Sequence, residues 1–489
     1  MLLRNTPLLH RSSSLRILLL LIVSLLSTTS QAYSPIDELP YGSRTSVVIE
    51  SLASNKVLES TPNREQFFPP ASTLKLVTAL AAKLELGNDF SFQTKLLRSG
   101  NDLVIQFDGD PTLTTQDLSN LLKLARQQLG NTIEGDLWLD VSAFNGYDRA
   151  IGWPWDILGV CYSAPSSAIT LDGNCIQAAI YTQTDGTTRV NVPQHYPVYV
   201  TTEAKTVSKI ERESTRCDLE LIPSQDNHYQ LSGCLQERSK PLPLKFAVQN
   251  PNLYAQRVIS SQLSQLNIKL LGQIRIGTPN QQKSQQKMTQ LATHQSAKLP
   301  ELLDLMLKRS DNLIADNLTK TIGREFFHQA GNFTNGTEAI KQIILSNTGV
   351  NISHSKMVDG SGLSRNNRFT NKDMAAILRY IWRNDQTLQL IKLMPTAGTD
   401  GTLKYRSSMR KPPIKGKIIA KSGSLYGSYN MAGYGLNTNG QPSTLFVQYV
   451  ADYHPEKRSD RPATVAPITA FETLFYQDIV RFSQAIPKK

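Results

Sequence analysis

The chain has 489 residues, a formal net charge of +12, 40% hydrophobic residues and 19% charged residues. That length allows two or three domains and at least one large core, and the composition excludes a disordered chain and a polytopic membrane protein. The lysines and arginines are scattered, so the positive charge reads as solubility rather than as a docking patch. There is no zinc-finger spacing and no basic, aromatic-interleaved motif, which excludes a nucleic-acid partner.

The N-terminus reads as an export signal. Arg4, Arg11 and Arg16 precede an apolar run, Leu18 to Val23 and Leu25–Leu26. Ser30-Gln31-Ala32 supplies small residues for a signal peptidase, which places the cut after Ala32. The apolar run is short for a membrane span. Removing residues 1–32 takes away three arginines and no acids, leaving +9. No later apolar run is long enough to span a membrane.

Residues 40–60 predict a β-hairpin, with Thr45–Ile49 as one strand and Lys56–Leu58 starting the next. Phe67-Phe68-Pro69-Pro70 breaks the pattern. A helix follows, with Leu74, Leu76, Val77, Leu80 and Ala81 on its apolar face. Residues 91–250 predict a β-rich insertion of two small domains, with segments such as Leu103–Phe107 and Val198–Thr202 and one helical stretch at Leu118–Leu129. All four cysteines, Cys161, Cys175, Cys217 and Cys234, lie inside it. In an exported chain an even cysteine count implies disulfides. Nearest-neighbour pairing would close two short loops, and the other two connectivities stay open. From 251 onward helices return at Leu253–Leu266, Leu299–Lys320 (with a break) and Lys372–Arg383. Strands follow at Lys417–Ala420, Tyr429–Leu436 and Ser443–Tyr449, then a last helix over 466–484. The outer parts, 33–90 and 251–489, therefore predict one mixed α/β domain split by the insertion.

Three short motifs carry chemistry. In Ser72-Thr73-Leu74-Lys75 a serine opens a helix, and a lysine three residues on shares its face. Burial and nearby charge can lower the lysine's pKa until it accepts the hydroxyl proton. The helix N-terminus offers N–H groups to a developing oxyanion. The spacing alone is weak, since it recurs at Ser284–Lys287, Ser353–Lys356 and Ser408–Lys411. Only Ser72 opens an apolar helix after a Pro-Pro break. Ser310-Asp311-Asn312 falls at the break between two helical stretches. A hydroxyl and a carboxamide there can relay a proton and orient the lysine, although the same residue types also serve as plain helix caps. Lys421-Ser422-Gly423-Ser424 ends the strand that begins at Lys417. A lysine and a hydroxyl beside a glycine make a carboxylate-binding edge.

Together, in the order S-x-x-K, S-D-N, K-[ST]-G, these motifs are the signature of penicillin-recognising serine enzymes. The stretches Gly109–Leu113, Gly152–Trp155, Tyr162–Pro165, Asp359–Ser364 and Ala397–Leu403 narrow the resemblance. The chain resembles the class C low-molecular-mass penicillin-binding proteins, the D-alanyl-D-alanine carboxypeptidase/endopeptidases of the penicillin-binding protein 4 type. The resemblance includes the long insertion, with 234 residues between Lys75 and Ser310.

The resemblance implies a penicillin-binding transpeptidase-like (β-lactamase-like) α/β domain, split in sequence, with β-rich inserted domains. It implies Ser72 as nucleophile, Lys75 as general base, and Ser310 and Asn312 in the proton network. Lys421 and Ser422 would hold the substrate carboxylate beside Gly423, and the N–H groups of Ser72 and Ser424 would form the oxyanion hole. In such enzymes an aspartate near the Trp-rich stretch binds the free amino group of a diaminopimelate side chain, and Asp156 holds that place here. The implied partners are peptidoglycan stem peptides and β-lactams, in the periplasm, and no metal or organic cofactor is implied. Lys-Ser-Gly replaces the family's common Lys-Thr-Gly; the hydroxyl survives, but its rotamer is less restrained. Against a β-lactamase stand the chain length and the lack of a class A Glu-x-x-x-Asn element. Against a Ser–Lys esterase stands the carboxylate edge, and against a non-hydrolytic sensor stand the three intact motifs.

Overall fold

The computed structural model describes residues 33–279, 288–455 and 465–485. The expected signal peptide, residues 1–32, and the Ser284–Lys287 repeat of the first motif lie outside these. The hairpin forms as β1 (Arg44–Ser51) and β2 (Val57–Ser60), paired antiparallel. Seven of the eight β1 residues are buried, because both faces of its sheet are covered. Val48 packs into a helical core on one side, and Val47 and Ile49 pack into another core on the opposite side. After the Pro-Pro break comes a 3₁₀ turn, Ala71–Leu74, and then α1 (Lys75–Glu85). Ser72 therefore sits on the tight turn before the α-helix, rather than in its first turn.

The chain then leaves this domain. Strands β3 (Gln93–Ser99) and β4 (Asp102–Gln106) precede α2 (Thr115–Leu129) and β5 (Leu137–Asp140). Helix α2 starts at a capping box between Thr114 and Asp117 and buries Leu118, Leu121, Leu122 and Ala125. Next come β6 (Cys175–Thr182), β7 (Thr188–Asn191), β8 (Leu219–Pro223), β9 (His228–Gln236) and β10 (Leu242–Ala247). A short helix, Lys209–Thr215, that the sequence pattern does not reveal lies among them. Then follow α3 (Pro251–Gln265), β11 (Ile274–Ile276) and β12 (Thr289–Gln295). One sheet runs β11-β5-β4-β3-β12, and a smaller one runs β10-β6-β7. Strands β8 and β9 pair antiparallel. The disulfides join Cys161 to Cys175 and Cys217 to Cys234, with Cα–Cα distances of 5.2 and 5.8 Å.

The expected end of the insertion at residue 250 is not where the core changes. Tyr254, Val258, Ile259 and Leu263 of α3 belong to the same hydrophobic cluster as Leu103, Ile105 and Leu137. Strand β12 also pairs antiparallel with β3. The chain leaves and re-enters the main domain side by side. Phe92 N–H donates to Ser296 Oγ at 2.9 Å, and Ser296 N–H donates to Phe92 O at 3.0 Å.

The main domain resumes with α4 (Leu299–Arg309) and α5 (Asn312–Phe327), then α6 (Phe333–Thr348) and α7 (Asn371–Arg383). Helix α6 is a difference from the sequence reading, which assigns no element between Lys320 and Lys372. Its apolar residues Ile340, Ile343 and Ile344 are diluted by Asn, Thr and Gly. It packs closely on α5, where a Cβ on Gly336 would lie 2.3 Å from Thr319 O. The chain ends with β13 (Ile418–Leu425), β14 (Ser428–Leu436), β15 (Pro442–Ala451) and α8 (Pro467–Ala485). The central sheet has the order β13-β14-β15-β1-β2, all antiparallel, so the two ends of the chain meet in it. Helix α8 covers one face through Phe471, Phe475, Ile479 and Val480. Helices α1, α4, α5, α6 and α7 build the core on the other face.

Candidate active site

The first motif lies against the edge strand of the central sheet. A Cβ on Gly423 would come within 2.9 Å of both Pro70 O and Ser72 N. Only glycine at this position lets β13 approach the 3₁₀ turn so closely. The outer edge of β13 is paired at its start, where Ala397 N–H donates to Ile418 O and Ala420 N–H donates to Pro395 O. That partner stops there, and the strand continues through Lys421, Ser422, Gly423 and Ser424 to Leu425. The third motif is therefore inside β13, not at its end. The strand runs on because Lys421–Leu425 pairs with Ser428–Ala432 of β14.

The second motif sits where α4 stops and α5 begins. Ser310 ends α4 in a left-handed conformation, φ 58°. Asp311 caps α5, its Oδ1 accepting from Ile314 N–H at 3.0 Å. The capping role thus falls to Asp311, and it frees the residues on either side. Lys75 Nζ donates to Asn312 Oδ1 at 2.6 Å, to Ser72 Oγ at 3.0 Å and to Ser361 O at 2.7 Å. Asn312 Nδ2 donates to Tyr162 O at 2.7 Å. Lys421 Nζ donates to Ser310 Oγ and to Ser422 O, each at 2.8 Å. Ser422 Oγ lies 2.8 Å from Thr402 Oγ1. The structure thus brings Ser72, Lys75, Ser310, Asn312 and Lys421 into one cluster, with Ser422, Gly423 and Ser424 along its edge.

Both lysines are fully buried. Burial lowers the Lys75 ammonium to about 8, against the pull of Asp316, Asp359 and Asp311. Lys421 is pushed well below the usual lysine range by burial first, then by the Lys75 and Arg406 charges. Asp316, one helical turn beyond Asn312, is buried too. Its Oδ1 accepts from Gly360 N–H at 3.0 Å and Ser361 N–H at 2.9 Å. Burial and the Asp359 charge push its carboxyl well above the usual range, while Lys75 pulls it down. Ser361 is thus held from both sides, by Asp316 at its N–H and by Lys75 at its carbonyl.

Asp316 and the Ser361 carbonyl are absent from the site that the sequence predicts. A carboxylate four residues after Asn312 on a helix was the available signal. The other stretches behind the resemblance also find structural jobs. Asp359 accepts from Gly362 N–H, Asn367 Nδ2 and the Trp153 indole N–H at 2.8, 2.8 and 2.9 Å. Gly109 O accepts from Asn317 Nδ2 at 2.8 Å. Asp156 lies apart from the cluster, on an exposed 3₁₀ turn, Trp155–Ile157. It is near enough to Tyr162 for its charge, after burial, to raise that phenol.

Two of the cavities among the described residues lie between the main domain and the inserted region. One of about 980 Å³ lies at the seam between α1, α5 and β3 and holds none of the motif residues. The other, of about 890 Å³, is lined by Ser310, Asn312 and Tyr162.

A five-stranded antiparallel sheet between two helical layers, with a serine hydrogen-bonded to a buried lysine against its edge strand, defines a penicillin-binding, β-lactamase-like serine enzyme fold. The profile of the D-Ala-D-Ala carboxypeptidase 3 (S13) family matches residues 34–473, and the chain belongs to that family. It is 36% identical to the D-alanyl-D-alanine carboxypeptidase DacB of Haemophilus influenzae over 458 residues, 91% of this chain and 93% of that protein. The crystal structure of penicillin binding protein 4 (dacB) from Haemophilus influenzae superposes with a TM-score of 0.83 at 36% identity, covering 91% of this chain and 98% of that one. The same protein complexed with a β-lactam superposes with a TM-score of 0.78 at 34% identity and the same coverage.

Proposed function

We propose that the protein is a serine D-alanyl-D-alanine carboxypeptidase/endopeptidase that cleaves peptidoglycan stem peptides and cross-links through an acyl-enzyme on Ser72. The observation that carries this reading is the contact of Lys75 Nζ with both Ser72 Oγ and Asn312 Oδ1. A lysine with its pKa near 8 is neutral often enough to take the serine proton, yet basic enough to want it. Ser72 Oγ attacks the carbonyl of the penultimate D-alanine, and Lys75 receives its proton. The N–H groups of Ser72 and Ser424 stabilise the oxyanion. Lys75 returns the proton to the departing amine by way of the Ser310 hydroxyl, while Asn312 Oδ1 keeps the lysine oriented. Lys421 and Ser422 hold the terminal carboxylate, which restores the charge that burial disfavours on Lys421. Water then releases the acyl group. Asp156, on the exposed turn beside Tyr162, takes the free amine of a diaminopimelate side chain. A β-lactam acylates Ser72 in the same way, in keeping with the β-lactam complex of the Haemophilus influenzae protein.

A periplasmic location with cleavage after Ala32 fits this substrate, as do two disulfides in the inserted region. Among the described residues no helix is long and apolar enough to cross a membrane. Intact-mass analysis after incubation with benzylpenicillin tests the assignment. A stoichiometric adduct that persists for minutes, and that Ser72→Ala abolishes, is expected. No adduct on a folded parent overturns it, and an adduct lost within seconds turns the reading to a β-lactamase.

A further inference from the structure

Ser422 lacks the β-methyl that a threonine would carry, so nothing within residue 422 restrains its hydroxyl. The fold supplies a partner from elsewhere. Ser422 Oγ lies 2.8 Å from Thr402 Oγ1, a residue 20 positions earlier on the 3₁₀ turn Gly401–Leu403. Ser422 is buried and Thr402 is exposed, so the contact runs from the strand toward the open side of the site.

The turn that carries Thr402 is fixed on every side but that one. Leu403 is fully buried and packs in the same core as Ile418 and Ala420 of β13. Gly398 N–H donates to Leu403 O at 3.2 Å and closes the loop. Asp400 Oδ1 accepts from Thr396 N–H at 2.6 Å, and Thr396 bridges to Ile419 of β13. Asp400 Oδ2 lies 3.5 Å from Lys308 Nζ, in the last turn of α4. Gly401 has φ +52°, and a Cβ there would come within 2.8 Å of Lys308 O. The segment paired with the outer edge of β13 therefore ends by turning back, and it presents one hydroxyl to residue 422.

The direction of that hydrogen bond follows from the ligand. A carboxylate can only accept. When the Ser422 hydroxyl donates to a substrate carboxylate, its contact with Thr402 is filled by the Thr402 hydroxyl donating to Ser422 Oγ. Each donor in such a chain polarises the next and strengthens the last bond.

We infer that Thr402 is a positioning residue that aims the Ser422 hydroxyl at the terminal carboxylate of the substrate. It does from a neighbouring turn what a β-methyl would do within residue 422. This rests on the carboxylate-holding role of Ser422 proposed above.

A double-mutant cycle tests it, with Thr402→Val placed in the parent and in Ser422→Thr. Valine keeps the shape of threonine and removes the hydroxyl. Thr402 is exposed on a turn anchored by Leu403, so its replacement carries little folding risk. Thr402→Ala serves as a second variant, and thermal unfolding accompanies each. Steady-state kinetics are measured on an N-acylated D-alanyl-D-alanine peptide. The comparison substrate is a nitrophenyl ester of the same acyl-D-alanine, whose leaving group bears no carboxylate. Thr402→Val and Thr402→Ala are expected to lower kcat/KM on the peptide about tenfold, through KM, in the Ser422 background. In the Ser422→Thr background Thr402→Val costs less than about threefold, and on the ester it costs less than about twofold. Thr402→Ser, which keeps a hydroxyl, stays within about threefold of the parent on the peptide. No loss on the peptide, an equal loss in both backgrounds, or an equal loss on peptide and ester overturns the positioning role and leaves the acyl-enzyme reading intact. A folded parent that cleaves neither substrate and takes no benzylpenicillin overturns both.

Discussion

Lys75 Nζ lies 2.6 Å from Asn312 Oδ1, a contact between residues 237 positions apart. It closes only when α1 and α5 pack side by side, and it ties the protonation of one helix to the placement of the other. A neutral Lys75 is the form that accepts a proton, so acylation of Ser72 is expected to rise with pH through about 8. The second-order rate of benzylpenicillin acylation between pH 6 and 10 checks this. Asp316→Asn keeps an oxygen for the Gly360 and Ser361 amides but removes the charge that favours Lys75 protonation. The rising limb then moves to lower pH, whereas Asp316→Glu leaves it in place. A limb that stays put in Asp316→Asn would show that this carboxylate has no electrostatic hold on Lys75.

Gly362 has φ +82°, and a Cβ there would lie 1.9 Å from Ala71 O. No flexible side chain can yield, because the obstacle is the backbone next to Ser72. Gly362→Ala is therefore expected to displace the nucleophile and cut the acylation rate at least about tenfold, alongside a stability loss of about 1–3 kcal/mol. Thermal unfolding and penicillin acylation, measured on the same sample, separate the two effects. Full-rate acylation in a folded variant would refute the packing argument.

Lys320, two turns beyond Asn312 on α5, is fully buried and donates to Tyr147 O and Ser166 O at 2.9 and 2.5 Å. Its ammonium lies over the Phe333 ring, 4.6 Å from the centroid. Burial lowers it to about 8, below its ordinary value of 10.5. Between those values the folded chain holds this lysine neutral and the unfolded chain holds it charged. The unfolded state thus binds more protons, and this group adds stability as pH rises across the window. Lys320→Met loses that gain. The gap in unfolding free energy between parent and variant is expected to widen by on the order of 2–3 kcal/mol from pH 8 to 10.5. Urea unfolding at several pH values measures it, and a gap independent of pH would mean that Lys320 is not titrating there.

Most elements of the main domain are legible in the sequence, because their periodicity is local. The hairpin at 44–60, α1, the broken pair α4 and α5, and the last three strands all announce themselves by apolar spacing. What escapes is long-range. Nothing in residues 289–295 says that they pair with 93–99, so α3 looks like the return of the main domain when its core lies with the insertion. The three motifs are visible as words, but their grammar is tertiary. Asp316 reads as one more helical carboxylate until the Gly360–Ser361 amides fold onto it. The strand that begins at Lys417 reads as ending with the Lys421-Ser422-Gly423-Ser424 motif, because its continuation depends on β14 rather than on local propensity.

The meeting of the two ends of the chain in one sheet also sets a timetable. Strand β1 lies between β2 and β15, and residues 44–51 pair with 444–451. A ribosome that has made Ser72, Lys75 and the whole inserted region has still not made the strand bearing Lys421 or the two strands that connect it to β1. A translation product that stops short of these strands is therefore unable to form the serine–lysine centre against its sheet edge. For a peptidase of peptidoglycan, cutting power arrives only with the last strands.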